Sequence, residues 1–135
     1  MQFLLDTHTV SYFLHDYSVP LTTRLMACDP ASLAITTITA GELSYGLAEL
    51  GPSQRAGILS VKLNKLLRAV PVLPLCAQAV PHYATTRKFL ESQGIPIGGN
   101  DLWIAAHALA QNMTLVTNNT REFERVPGLK LDNWL

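Results

Sequence analysis

The chain has 135 residues, of which 48% are hydrophobic and 15% are charged. Ten basic and ten acidic side chains give a formal net charge of zero. This size and apolar content predict a single domain, residues 1–135, that buries its own core without covalent staples. The balanced charge excludes a general electrostatic attraction for nucleic acid, so any such partner needs a local basic patch or a bound cation.

The cysteines and the N-terminus restrict the compartment. Cys28 and Cys76 are too few for a disulfide scaffold and form no metal-binding pair, so we expect buried free thiols. Asp6 interrupts the N-terminal apolar run early, and no basic segment precedes that run. The sequence therefore predicts neither a signal peptide nor a membrane span, and hence a cytoplasmic protein.

Short apolar runs alternate with helical patterns through the first half of the chain. Leucines recur at positions 43, 47 and 50, which is the spacing of a helix with one buried face. The predicted elements are a strand over 2–5, a helix capped by Thr7, a short helix opened by Pro20, a strand over 32–36, a helix that begins at Thr39 and ends at Gly51, and an amphipathic helix around 58–67.

The second half continues the alternation. Pro71 and Pro74 favour an edge position for the strand over 70–75, because proline cannot donate to a ladder. The remaining predictions are a helix over 76–93 kinked at Pro81, a loop over 94–99, a buried helix from Asp101 to Asn112, a strand over 114–117, a short helix capped by Thr120, and an edge strand over 129–131. This order predicts an α/β domain with a mostly parallel sheet flanked by helices.

Three acidic residues stand out because charged residues are scarce. Asp6 directly follows the first predicted strand, and Asp101 opens an apolar helix that should be buried. Glu42 lies in Thr39-Ala40-Gly41-Glu42, which also matches a helix capping box. Each residue has a structural alternative: a cap or turn for Asp6, the capping box for Glu42, and the helix dipole for Asp101.

Together, the three acids suggest a metal-dependent reaction. Polar sites in parallel sheets lie beyond the carboxyl ends of the strands, where Asp6 and the Thr117-Asn118-Asn119 segment are both expected. Converging carboxylates repel one another unless a cation lies between them, and Mg²⁺ prefers such oxygen ligands. Thr117 and Asn119 can orient water or phosphate there, although turn formation explains them equally well. Phosphodiester hydrolysis is the reaction that this chemistry favours.

Four segments, in order, resemble the PIN domain family and most closely its VapC toxin branch: Leu4–Thr7, Thr39–Gly46, Gly99–Ala106 and Leu115–Phe123. The resemblance implies a PIN-like fold and an endoribonuclease that uses Mg²⁺, with Mn²⁺ as a substitute. It implies that Asp6, Glu42 and Asp101 are the catalytic and metal-binding acids, with Thr7 in support. It further implies an RNA substrate such as the anticodon loop of initiator tRNA, an inhibiting VapB-type antitoxin, and a homodimer.

Two positions depart from the family pattern. His8 stands where the family commonly has asparagine, and Asn119 stands where many members have a fourth acid. The neutral Asn119 puts a second tightly held metal in doubt. Glu122 is close to Asn119 in the sequence, but it belongs to the short helix, and we expect its side chain to point away from the three acids.

The basic and aromatic residues leave alternatives open. Arg121 and Arg125 lie four residues apart and can contact phosphate, or pair with Glu122 and Glu124. We expect Trp103 and His107 in the core. One rival function is a nuclease that cuts DNA by the same chemistry, and another is a weakly active or inactive PIN-fold module that binds RNA or protein.

Overall fold

The computed structural model describes residues 1–135 and contains a five-stranded sheet in the order β3-β2-β1-β4-β5, with every neighbouring pair parallel. This arrangement confirms the predicted α/β class. The strands are short: β1, β2 and β4 are each one residue shorter than predicted, β3 is four residues shorter, and β5 is displaced by one residue. Their bounds are β1 Phe3–Leu5, β2 Leu33–Thr36, β3 Val72–Leu73, β4 Thr114–Val116 and β5 Lys130–Asp132.

Seven α-helices cover the sheet: α1 Thr7–Leu14, α2 Val19–Ala27, α3 Thr37–Leu50, α4 Gln54–Ala69, α5 Ala79–Ser92, α6 Gly99–Ala110 and α7 Thr120–Phe123. Adjacent residues of a strand face opposite sides, so β1 contributes to two cores. Leu5 packs with buried residues of α1 to α4, while Leu4 packs with those of α5, α6 and α7. The sheet is therefore buried on both faces, as its nearly continuous apolar strands predict.

The connections place an open crevice beside β1. The chain leaves β1 toward β2 and β3 on one side, and returns through α5 and α6 to β4 on the other side. In parallel sheets, ligands bind at such a switch point, beyond the carboxyl ends of the strands. The residues that follow β1 and β4 at this edge are Asp6 and Thr117.

Three predicted helix caps are wrong. Thr120 does not cap α7 but is its first helical residue, and Asn119 precedes it at the cap position. Asp6 caps α1, because its side chain accepts a hydrogen bond from the Thr9 amide, and Thr7 is already helical. Thr36 caps α3 by accepting from the Thr39 amide at 3.2 Å, so α3 begins before the predicted start at Thr39. Glu42 is consequently not the partner of a Thr39 capping box, and its side chain is available for another role.

Other differences are smaller. Helix α5 begins at Ala79 instead of residue 76, which places Pro81 in the first turn, where a missing N–H breaks no helical bond. Helix α6 begins at Gly99, two residues before Asp101. Cys28 and Cys76 are free thiols but only half-buried. None of the helices combines the length and the hydrophobicity that crossing a bilayer requires.

Candidate active site

Asp6 is the most deeply placed of the acidic residues, with 1% of its surface exposed. Its Oδ1 accepts from the Thr9 amide at 2.8 Å, and its Oδ2 accepts from the Thr117 hydroxyl at 2.5 Å. Burial raises the pKa of Asp6, and the hydrogen bonds from Thr117 and Thr9 act against that rise. The predicted proximity of Asp6 and Thr117 at one sheet edge is thus confirmed.

Glu42 approaches the same edge from the second turn of α3. The Thr7 hydroxyl donates to Glu42 Oε1 at 2.6 Å and lies 3.3 Å from the Thr39 hydroxyl. A hydroxyl has a single proton, so the contact with the carboxylate determines its direction. Thr7 therefore links the start of α1 to α3 and fixes the position of the Glu42 carboxylate beside Asp6.

Asp101 comes from the opposite layer, in the first turn of α6. Burial raises the pKa of Asp101 to about 6, and the negative charges of Glu122, Asp6 and Glu42 add to that rise. Gly98 lies between two of these acids, because its Cβ position would stand 3.9 Å from Asp101 Oδ2 and its amide lies 3.3 Å from Glu122 Oε1. We call Asp6, Glu42, Asp101 and Glu122 the acidic cluster, since the other three all act on the pKa of Asp101. The structure therefore brings together residues that lie far apart in the sequence.

Glu122 is a member of this cluster that the sequence analysis missed. The Asn119 side-chain amide donates to Glu122 Oε2 at 2.6 Å, and the Gly98 amide lies 3.3 Å from Glu122 Oε1. The expectation that Glu122 points away is wrong, because these two contacts turn its carboxylate toward Asp101. The Asn119 side chain carries no charge, and the Asn119 backbone amide donates to the Thr117 hydroxyl at 2.9 Å.

No basic side chain forms a salt bridge with the acidic cluster, although the charge of His8 acts to lower the pKa of Asp6 and Asp101. None of the three salt bridges of the chain involves Asp6, Glu42, Asp101 or Glu122. No group of three or more acidic, histidine or cysteine side chains in the structure is arranged to hold a metal ion. This donor set nevertheless fits Mg²⁺, which keeps several waters and binds through one or two carboxylates together with substrate phosphate. A hard cation also relieves the mutual repulsion that raises the pKa of Asp101.

The remaining candidate residues lie around this cluster. Arg121 is exposed on α7 and makes no salt bridge, whereas Arg125 donates to the Pro96 carbonyl at 3.3 Å. His8 is exposed next to Thr7. His107 is buried as expected, but Trp103 is half-buried and stacks on Tyr83 with 3.7 Å between ring centroids.

Two depressions flank Glu42. The leucine groove, of about 400 Å³, is lined by five leucines of α1, α3 and α4, including Leu43, Leu47 and Leu50, and by polar residues that include Arg55 and His15. Burial, followed by the charges of Arg55 and Lys62, lowers the pKa of His15. The polar cleft, of about 660 Å³, is more open and is lined by Thr7, Thr37, Ile38, Gly41, Glu42, Tyr45 and Asn100.

The fold and the acidic edge define a known class. The PIN domain family profile matches residues 3–129, and the chain belongs to the PIN domain family. Within that family it is similar to the VapC ribonucleases. Ribonuclease VapC2 of Rickettsia felis is 36% identical over 99% of this chain and 98% of its own length. The tRNA(fMet)-specific endonuclease VapC of Salmonella typhimurium is 32% identical over the same shares.

Solved structures show the same relationship. The VapBC2 complex of Rickettsia felis, bound to a DNA fragment from its promoter, contains a chain that superposes with a TM-score of 0.88 at 34% identity, with 100% of both chains covered. A chain of VapBC-1 from nontypeable Haemophilus influenzae superposes with a TM-score of 0.84 at 33% identity, covering 99% of this chain and 98% of that chain. The likeness therefore extends over the whole chain.

Proposed function

We propose that this chain is the toxin of a type II VapBC toxin–antitoxin system and acts, as a single PIN domain over residues 1–135, as a metal-dependent endoribonuclease. The observation that supports this proposal best is the acidic cluster, in which Asp101, with its pKa raised to about 6, lies with other carboxylates and no paired cation. Such a cluster costs stability without a ligand, and a divalent cation offsets that cost.

Asp6, Glu42 and Asp101 are the residues that would hold Mg²⁺, or Mn²⁺ in its place, and Glu122 would supply the charge that Asn119 lacks. When bound, the cation neutralises charge on the phosphodiester and makes water more acidic. The chain's own residues do the positioning. Thr117 and Thr9 hold the Asp6 carboxylate, Thr7 holds Glu42, and Asn119 holds Glu122. Arg121 is exposed next to Glu122 and is the proposed contact for backbone phosphate.

The substrate and partners follow from the relatives. A homologue is named as an endonuclease specific for tRNA(fMet), and we propose initiator tRNA as the substrate of this chain. Neighbouring structures are VapBC complexes, and we propose that a VapB-type antitoxin inhibits this chain. We also expect a homodimer.

Cleavage assays test this proposal. Purified protein is incubated with initiator tRNA, with total RNA and with DNA, in Mg²⁺, in Mn²⁺ and in chelator, beside Asp101→Asn. We expect metal-dependent cuts in RNA and a loss on the order of a thousandfold in the variant, because metal charge stabilisation contributes several kcal/mol and each ~1.4 kcal/mol is tenfold.

Glu49→Gln is the matched control, because Glu49 is an exposed acid on the same helix as Glu42 and lines neither depression. Retained cleavage in a folded Asp101→Asn protein contradicts the site. Cleavage of DNA in preference to RNA contradicts the substrate class.

A further inference from the structure

Tyr45 on α3 is an exposed aromatic residue whose side chain has no stacking or hydrogen-bonding partner within the protein. Its exposed fraction is 66%, it makes no hydrogen bond, and it stacks on no other ring. Tyr17 is similarly exposed, at 61%, but its ring stacks on His15 and meets Tyr12 edge-on. Tyr45 thus differs from the other exposed tyrosine in keeping its ring available for an external partner.

The position of this ring is close to the acidic cluster. Tyr45 lies three residues after Glu42 on α3, so the two side chains are neighbours along the helix surface. Both line the polar cleft, whose volume of about 660 Å³ is within the range that accommodates a small organic ligand. A group that stacks on Tyr45 would therefore lie next to the carboxylates.

The rest of the cleft provides free polar groups. The side chains of Thr37 and Asn100 line it, and neither makes a hydrogen bond within the protein. Asparagine can both donate and accept, which suits the edge of a nucleobase. Gly41 has open space where a Cβ would stand, so the wall of the cleft between Thr37 and Tyr45 is not obstructed.

We infer that the polar cleft is a nucleobase subsite, in which Tyr45 stacks on one unpaired base of the RNA next to the bond that is cut. This inference rests on the proposed ribonuclease function and adds a substrate requirement. A base within a duplex is covered on both faces, whereas bases in loops can be turned out and stacked on aromatic side chains. The enzyme should thus require an unpaired nucleotide at the cut.

The composition of the two depressions favours RNA as the occupant of the polar cleft. The leucine groove contains five leucines, which suit the apolar face of a protein helix. The polar cleft contains the hydroxyl groups of Thr7 and Thr37 and the amide of Asn100, and its only large apolar residues are Ile38 and Tyr45. An antitoxin segment over Tyr45 is the alternative that the experiment has to exclude.

The test compares Tyr45→Ala with Tyr45→Phe, and uses Phe89→Ala, an exposed aromatic residue on α5, as control. Kinetics on initiator tRNA should give about a tenfold or larger rise in KM for Tyr45→Ala, because stacking on one base is worth ~1–3 kcal/mol. Tyr45→Phe keeps the ring and should stay within about threefold of the parent. The KM of the Phe89→Ala control should equal that of the parent. Equal melting temperatures would establish that all variants fold.

A binding assay separates this inference from the nuclease proposal. The probe is the isolated anticodon stem-loop of initiator tRNA, with a fluorescent adenine analogue in the loop, added to the Asp101→Asn protein. We expect stacking to quench the fluorescence, and this quenching to be lost with Tyr45→Ala but kept with Tyr45→Phe. Quenching that depends on Tyr45 supports the subsite even if the parent protein cuts no RNA.

Three results would overturn the inference. The first is a Tyr45→Ala protein with unchanged KM and unchanged quenching. The second is a Tyr45→Phe protein as impaired as Tyr45→Ala, which would assign the effect to the hydroxyl group. The third is a Tyr45→Ala protein that cleaves normally but binds its antitoxin more weakly, which would assign this surface to the antitoxin.

Discussion

The leucine groove and the polar cleft reach the same carboxylate from opposite sides of one helix. Successive residues of an α-helix are about 100° apart, so Leu43, Leu47 and Leu50 fall to one side of Glu42 and Gly41 and Tyr45 to the other. Three leucines of α3 line the leucine groove, whereas Thr37, Ile38, Gly41 and Tyr45 line the polar cleft, and Glu42 lines both. Helix α3 can therefore serve a protein partner and an RNA substrate with sets of residues that share only Glu42.

The largest expected effect is a loss of antitoxin affinity on substitution of a residue in the leucine groove. Leu50 is 42% exposed and lines the groove, so Leu50→Gln should alter the surface with little effect on the core. We expect antitoxin affinity to fall about tenfold or more, since buried apolar anchors at an interface are often worth more than ~1 kcal/mol. RNA cleavage should be unchanged.

Titration calorimetry with the antitoxin measures this effect. Ile58→Gln is the control, because Ile58 is exposed on α4 but does not line the leucine groove. If Leu50→Gln and Ile58→Gln lower antitoxin affinity equally, or if Leu50→Gln impairs cleavage, the division between the two sides of α3 is wrong.

A smaller effect concerns the pH dependence of stability that the acidic cluster causes. Its member Glu42 lines both depressions. Asp101 has a folded-state pKa of about 6, above its ordinary value of 3.8. An acid with a raised pKa gives stability that is full below pH 3.8 and is lost as the pH rises through about 6. Because the carboxyl is half-exposed and solvent screens it, we expect a loss of only about 1 kcal/mol in the metal-free protein.

Thermal denaturation in chelator, at about pH 4.5 and about pH 7.5, measures this loss. Asp101→Asn should melt higher than the parent at the upper pH and should lack this part of the pH dependence. Divalent metal should stabilise the parent most at the upper pH, where the carboxyl is ionised. An identical pH dependence in both proteins would contradict the electrostatic account of the cluster.

The sequence predicted which residues lie together at the carboxyl edge of the sheet better than it predicted the hydrogen bonds that hold them. Asp6 and Thr117 each follow a strand, so parallel pairing alone places them together. Glu42 was identified, but the capping-box alternative for it was wrong. Threonines stand at 36, 37 and 39, any of which can cap a helix, and the cap is Thr36. Glu122 could not be placed, because its direction depends on Asn119 and on the distant Gly98 amide.

The central claim is that the acidic cluster binds a divalent cation, and calorimetric titration of Mn²⁺ into the purified protein tests it most directly. The account predicts saturable binding by the parent and by Glu49→Gln, weaker binding by Glu122→Gln, and loss of binding in Asp101→Asn. Equal Mn²⁺ affinity in the parent and in a folded Asp101→Asn protein would contradict the claim, because the cation would then be held elsewhere.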